Sequence, residues 1–123
     1  MFFTKLEHKS FLGLLATSQV ALDPFPWGGG VTTLDAFAAG TPVVTYPKQQ
    51  TGVQLAAGFY RYMGIADCIV ASVQEYIDLA VEIAMNPSTR ERISASILKR
   101  HYTIFEDAST AKEWERFLLQ ISR

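Results

Sequence analysis

Leu22-Asp23-Pro24-Phe25-Pro26-Trp27-Gly28-Gly29-Gly30-Val31-Thr32-Thr33-Leu34-Asp35-Ala36, running on to Ala39-Gly40-Thr41-Pro42-Val43-Val44-Thr45, decides how the chain reads. Val20-Ala21-Leu22 reads as a short buried strand. Pro24 and Pro26 stand too close together for regular structure to continue. Three glycines follow, and then Leu34, Phe37 and Ala38 give a helix over residues 31–39 that Gly40 stops. Pro42-Val43-Val44-Thr45-Tyr46-Pro47 is a second buried strand with a proline at each end. Strand, glycine turn, helix, strand is the unit of a parallel sheet covered by helices.

Outward from this unit the pattern repeats and then changes. Upstream, Phe11, Leu12, Leu14, Leu15 and Ser18 recur at helical spacing over residues 8–18, and residues 1–4 read as the last piece of a strand. Downstream, a helix over residues 52–63 stops at Gly64, and Asp67-Cys68-Ile69-Val70 is a last short strand. Ser72 with Glu75 three residues on forms a capping box before a helix ending near Asn86-Pro87. Another helix runs over residues 88–100. After a looser stretch, residues 109–121 are helical, with Trp114, Phe117, Leu118 and Ile121 on one side, expected to pack onto the sheet. The fold class is α/β: half of a doubly wound parallel, Rossmann-like sheet followed by C-terminal helices. The 123 residues make one partial domain, with strand–helix repeats over 1–71 and helices over 72–123.

Composition excludes several classes. Hydrophobic residues make up 49% and charged residues 19%, a globular balance, and the net charge of −1 offers no general attraction to nucleic acid or an anionic membrane. Cys68 is the one cysteine, which leaves no intrachain disulfide and no cysteine-based metal site, and points to a reducing, cytoplasmic setting. Lys5 and Lys9 ahead of Phe11-Leu12-Gly13-Leu14-Leu15-Ala16 imitate a secretion signal, but Glu7 interrupts the basic region and the same residues fit an amphipathic helix. That apolar stretch is too short to span a bilayer.

A strand that ends in a glycine turn before a helix is where a parallel α/β sheet gathers its ligands. The N-terminus of the second helix offers unpaired N–H groups and partial positive charge to a phosphate, and Gly29 and Gly30 let the backbone approach. Thr32 and Thr33 add hydroxyls, and Asp35, a turn further on, suits sugar hydroxyls. The same residues also admit a plain tight turn, N-cap threonines and a first-turn acid favoured by the dipole. No Walker lysine follows the turn, and Thr33 stands where a dinucleotide fingerprint needs its last glycine. Trp27, an aromatic in the loop, is a candidate lining of the same site. Lys48 either reaches a phosphate or is a solvated loop lysine. His101, at a helix end, is expected to meet the last carbonyls, and Cys68 to be a small core residue.

The run from Leu22 to Ala36, with Ala39-Gly40-Thr41-Pro42-Val43-Val44-Thr45, resembles the O-linked N-acetylglucosamine transferase family, the SPINDLY-like GT41 group. His8-Lys9-Ser10-Phe11-Leu12, Gln74-Glu75-Tyr76 and Trp114-Glu115-Arg116-Phe117 are similar to further parts of it. The resemblance implies the C-terminal domain of a GT-B glycosyltransferase, one that binds a UDP-sugar and transfers with inversion and without a metal or other cofactor. It implies diphosphate contacts at Gly30, Val31 and Thr32, a ribose contact at Asp35, and uracil contacts around Leu6 and His8. Gly30-Val31-Thr32 departs from the His-Thr-Thr or Gly-Thr-Thr of many members by one hydroxyl. Lys48 stands for a usual glycine, and Gln54 for an arginine.

No catalytic residue is assigned. The family's acceptor-side base and its donor-binding lysine and glutamine would fall upstream of Met1. The expectation is therefore a part of a larger enzyme, whose N-terminal half or partner chain completes the site beside a protein acceptor. The alternative is a non-catalytic nucleotide-binding or scaffolding domain that works with a partner chain.

Overall fold

The structure, a computed structural model, describes residues 4–47 and 54–122. In chain order the elements are α1 (His8–Thr17), β1 (Ala21–Leu22), α2 (Val31–Ala38), β2 (Val43–Val44), α3 (Leu55–Tyr62), α4 (Val73–Met85), α5 (Pro87–Arg100), α6 (Tyr102–Phe105) and α7 (Ala108–Ile121). β1 and β2 pair in parallel, with Ala21 opposite Val43 and Leu22 opposite Val44, and a parallel bridge from Thr45 to Ile69 extends the sheet on the far side of β2. The chain is thus mixed α/β, mostly helical, around a small parallel sheet.

The strands are shorter than the sequence suggests. Residues 42–47 give two ladder residues and one bridge, and residues 67–70 give the bridge at Ile69 alone. Pro42 and Pro47 bound the second strand, and a proline cannot donate to a ladder. Among the described residues β1 is paired on one side only. Residues 1–3, read as strand, lie outside those described; Thr4 belongs to no element.

The helices follow their signals closely. Gly40 and Gly64 take φ of 74° and 68°, the left-handed conformation that ends α2 and α3. The Ser72 side chain accepts from the Glu75 N–H at 3.1 Å, while the Glu75 carboxylate reaches back to the Ala71 N–H at 2.9 Å. Asn86 caps α5, and Pro87 fills its first turn, where no N–H is needed. The stretch read as loose contains the single turn of α6.

The core lies between the sheet and the helices. Phe37 of α2 and Tyr60 of α3 meet with ring centroids 4.7 Å apart, surrounded by Val43, Val44, Cys68, Ile83, Ile93 and Ile97, all buried. The Tyr60 hydroxyl accepts the Val43 N–H at 2.9 Å, which satisfies a strand donor inside the core. Burial, above all, holds the Tyr60 hydroxyl well above its ordinary pKa. Thr41 donates to the Leu15 carbonyl at 2.7 Å and ties the end of α1 to the entry of β2. Arginines close two other helices: Arg90 donates to the Ile83 and Ala84 carbonyls of α4, and Arg100 to the Gly64 carbonyl beyond α3 at 2.6 Å.

Two expectations fail. Trp114 and Phe117 do not pack on the sheet: every residue of α7 is exposed. A helical period marks an apolar face without saying what covers it. His101 ends α5, but its Nδ1 is buried without a hydrogen-bond partner among the described residues, and its ring lies edge-on to Phe105. No helix among the described residues is long and apolar enough to cross a membrane.

Candidate functional site

Asp23, the first residue after β1, organises the turn. It is only 6% exposed, and both carboxylate oxygens are engaged: Oδ1 accepts the Gly29 N–H and Oδ2 accepts the Thr45 hydroxyl, each at 2.7 Å. Its own N–H donates to the Val44 carbonyl at 2.9 Å, and its carbonyl accepts the Tyr76 hydroxyl at 3.0 Å. Burial, with the Asp23 charge nearby, raises the Tyr76 hydroxyl above its ordinary pKa and keeps it a donor. Phe25 holds the loop from above, edge-on to Tyr46 and Tyr76 at 5.3 Å from each.

The glycines are required by close packing and not by left-handed φ. A Cβ on Gly28 would stand 2.7 Å from Asp23 Oδ1, and one on Gly29 would stand 2.6 Å from Thr32 Oγ1. Gly30 is less crowded, with Leu55 at 3.2 Å. The Gly30 carbonyl accepts the N–H groups of Thr33 and Leu34, leaving those of Val31 and Thr32 without an intrahelical acceptor. Val31 is 73% exposed and Thr32 is exposed. An open helix end, positive by its dipole, thus faces outward from the carboxyl ends of β1 and β2.

Thr33 is turned away. It is 4% exposed, and its hydroxyl donates to the Gly29 carbonyl at 3.2 Å, bracing the turn. Asp35 and His8 meet across 27 residues of sequence: His8 Nε2 lies 3.1 Å from Asp35 Oδ1, with His8 exposed and Asp35 half-buried. Among the described residues the second Asp35 oxygen has no partner. Leu6 is half-buried just ahead of α1. Trp27 projects from the loop, 74% exposed. Lys48 lies outside the described residues. Beside Gly30, Leu55 opens an apolar groove of about 560 Å³ that runs past Phe59 and Tyr62 to Ile104.

The structure therefore brings together the start of α1, the turn and the start of α2. Asp23, Thr45 and Tyr76, which hold this arrangement, went unassigned in the sequence. The only signal for Asp23 was its place in the quoted run, and Tyr76 joins the site from 53 residues away. Among the described residues no three His, Cys, Asp or Glu side chains gather as cation ligands. The arrangement can hold an anion on free N–H groups and the Thr32 hydroxyl, and a polyol on the Asp35 carboxylate.

The sequence pattern of glycosyl transferase family 41 matches residues 4–112. The chain belongs to this family. Relatives within reach include a probable UDP-N-acetylglucosamine–peptide N-acetylglucosaminyltransferase SPINDLY of Hordeum vulgare, 26% identical over 79 residues, which covers 64% of this chain and 8% of that protein. A UDP-N-acetylglucosamine–peptide N-acetylglucosaminyltransferase of Caenorhabditis elegans is 24% identical over 106 residues, covering 85% of this chain and 9% of that protein. In three dimensions the chain is similar to a mutant O-GlcNAc transferase of Thermobaculum terrenum, with a TM-score of 0.74 at 22% identity. The match covers 98% of this chain and 25% of that one, and it shows the fold. This family 41 chain spans less than a tenth of the length of the curated relatives named here.

Proposed function

We propose that this chain is the UDP-sugar-binding part of an inverting, metal-independent glycosyltransferase: half of a doubly wound sheet, in the C-terminal domain of a GT-B enzyme. The single observation that carries the reading is the open N-terminus of α2, with Thr32 exposed on it and Asp35 one turn inside. The diphosphate would sit on the N–H groups of Val31 and Thr32 at Gly30, and the ribose hydroxyls on the Asp35 oxygen that His8 does not meet. His8 would fix the other Asp35 oxygen, and with Leu6 flank the uracil. Trp27, Gly29 and Lys48 would border the sugar side, while Thr33 braces the turn.

In transfer, charge builds on the departing diphosphate. Fixed N–H dipoles and a hydroxyl at a helix end stabilise that charge without reorganising at the moment of reaction. This chain contributes that electrostatic half; the base that activates a protein acceptor comes from the rest of the enzyme or from a partner chain. With its lone cysteine buried and reduced, the domain works in the cytoplasm.

Calorimetric titration of the purified chain with UDP tests the reading. Saturable binding is expected, weakened about tenfold or more by Thr32→Ala and by Asp35→Ala, as the loss of one good hydrogen bond implies. A folded chain that does not bind UDP, or that binds it unaltered by both substitutions, overturns the site.

A further inference from the structure

We propose that Tyr76 is a positioning residue for the donor diphosphate: from α4 it fixes the loop that sets the open N-terminus of α2. This rests on the UDP-sugar reading above and names a residue that acts on that site without touching the ligand. Asp23 is held at its N–H and at both carboxylate oxygens by partners in the sheet and the glycine turn, Val44, Thr45 and Gly29. The fourth hold, on its carbonyl, comes from another layer: the Tyr76 hydroxyl donates to it at 3.0 Å. The same ring lies edge-on to Phe25 at 5.3 Å, so Tyr76 grips the loop at Asp23 and again two residues on.

α4 can serve as the anchor because its own start is fixed. The Ser72 hydroxyl accepts the Glu75 N–H and the Glu75 carboxylate accepts the Ala71 N–H, a closed capping box, and Tyr76 is the next residue. Ile83, two turns on, is buried in the core and holds the body of the helix. From Asp23 the hold passes through Oδ1 to the Gly29 N–H. The neighbouring Gly30 carbonyl takes the Thr33 and Leu34 N–H groups, which sets where the free N–H groups of Val31 and Thr32 point. A loosened turn therefore disturbs the phosphate donors first. Asp35 is spared, because Phe37 keeps the rest of α2 in the core and His8 meets the carboxylate directly.

Parallel NMR titrations of the full 123-residue chain with UDP and with uridine test the role. Tyr76→Phe removes one hydroxyl and keeps the ring against Phe25, so the variant is expected to fold as before. Its Kd for UDP is expected to rise about threefold to tenfold, because a turn that holds its shape for only part of the time lowers the apparent affinity by that fraction. Its Kd for uridine, which carries no phosphate, is expected to stay the same, and the amide signals of Gly29, Val31 and Thr32 to shift before any ligand is added. Tyr102→Phe, the same deletion at an exposed tyrosine of α6, should change none of these. A purely structural role would lower the thermal midpoint and leave the UDP affinity of the folded chain unaltered. Unchanged UDP affinity in Tyr76→Phe, an equal loss for uridine, or unmoved Val31 and Thr32 amides overturns the proposal and leaves the UDP site standing. An unsubstituted chain that binds no UDP overturns the site itself, and the role of Tyr76 with it.

Discussion

Thr45 at the end of β2 donates its hydroxyl to Asp23 Oδ2 at 2.7 Å, and so joins the carboxyl ends of the two strands through one buried carboxylate. The other oxygen of that carboxylate holds the Gly29 N–H, so the sheet and the glycine turn share a single anchor. Removing it leaves the buried Thr45 hydroxyl and the partly buried Gly29 N–H without their acceptor. Asp23→Ala should cost about 2–4 kcal/mol of stability, and Thr45→Val about 1–2 kcal/mol, because each strands a group that water cannot reach. Urea denaturation at neutral pH measures both. A cost under half a kcal/mol for Asp23→Ala would mean that the turn does not depend on it.

The glycines divide into two kinds, and their substitution should separate them by sign. Gly28→Ala and Gly29→Ala press a methyl group to 2.7 Å from the fixed Asp23 carboxylate and 2.6 Å from Thr32 Oγ1. Each should destabilise by about 1–3 kcal/mol, as overpacking does. Gly13 in α1 and Gly58 in α3 have nothing within 4 Å of an added Cβ. There alanine should stabilise by roughly 0.5–1 kcal/mol through helix propensity. Thermal midpoints of the four variants decide the matter, and a uniform sign would refute the distinction.

How much of this was legible beforehand depended on range. Local signals worked: Gly40 and Gly64 stop their helices, and Ser72 caps α4, because each acts within a turn of itself. The turn before α2 was also readable, since glycines, threonines and Asp35 are contiguous. What joins the site from a distance was not. Tyr76 on Asp23, Thr45 on Asp23 and His8 on Asp35 are bonds across 53, 22 and 27 residues, and no spacing rule predicts them. Strand length was overestimated because residues 42–47 and 67–70 read as strand along their whole length, while pairing, confined to Val43, Val44, Thr45 and Ile69, depends on neighbours the segments do not contain. The outward stripe of α7 failed for the same reason: periodicity fixes a face and leaves its partner unspecified.

Cys68 should behave as an inert reporter of unfolding. Burial is the main reason that its thiol is pushed up to about 11, so at neutral pH there is almost no thiolate to react. Tyr60, whose hydroxyl lies beside it, is itself buried and un-ionised. Alkylation of Cys68 by iodoacetamide at pH 7.5 should therefore be undetectable on the folded chain and appear in step with the urea transition. Labelling that precedes the transition would reveal a local opening around α3 and Cys68.

The clip between Tyr62 and Asp107 sets the pH range in which the first turn of α7 is held. The Ser109 hydroxyl and then the Tyr62 hydroxyl, both donating to Asp107, hold its carboxyl below the ordinary value of 3.8. That contribution is present above the ordinary value and is lost as pH falls through the lowered one. Tyr62 moves the other way: its bond to Asp107, and then the Asp107 charge, raise it above 10.0, so its contribution is present below 10.0 and is lost as pH rises through the raised value. Between about pH 4 and pH 10 both donor and acceptor are in the forms the bond needs. The Tyr62 ring-carbon NMR signal should accordingly titrate above 10.0 in the native chain and move down toward it in Asp107→Asn, where the carboxylate charge is gone. Ser109→Ala should raise the Asp107 midpoint toward 3.8 while leaving Tyr62 raised. If Tyr62 titrates identically with and without the Asp107 charge, the two side chains do not form the clip in solution, and α7 is tethered by the chain alone.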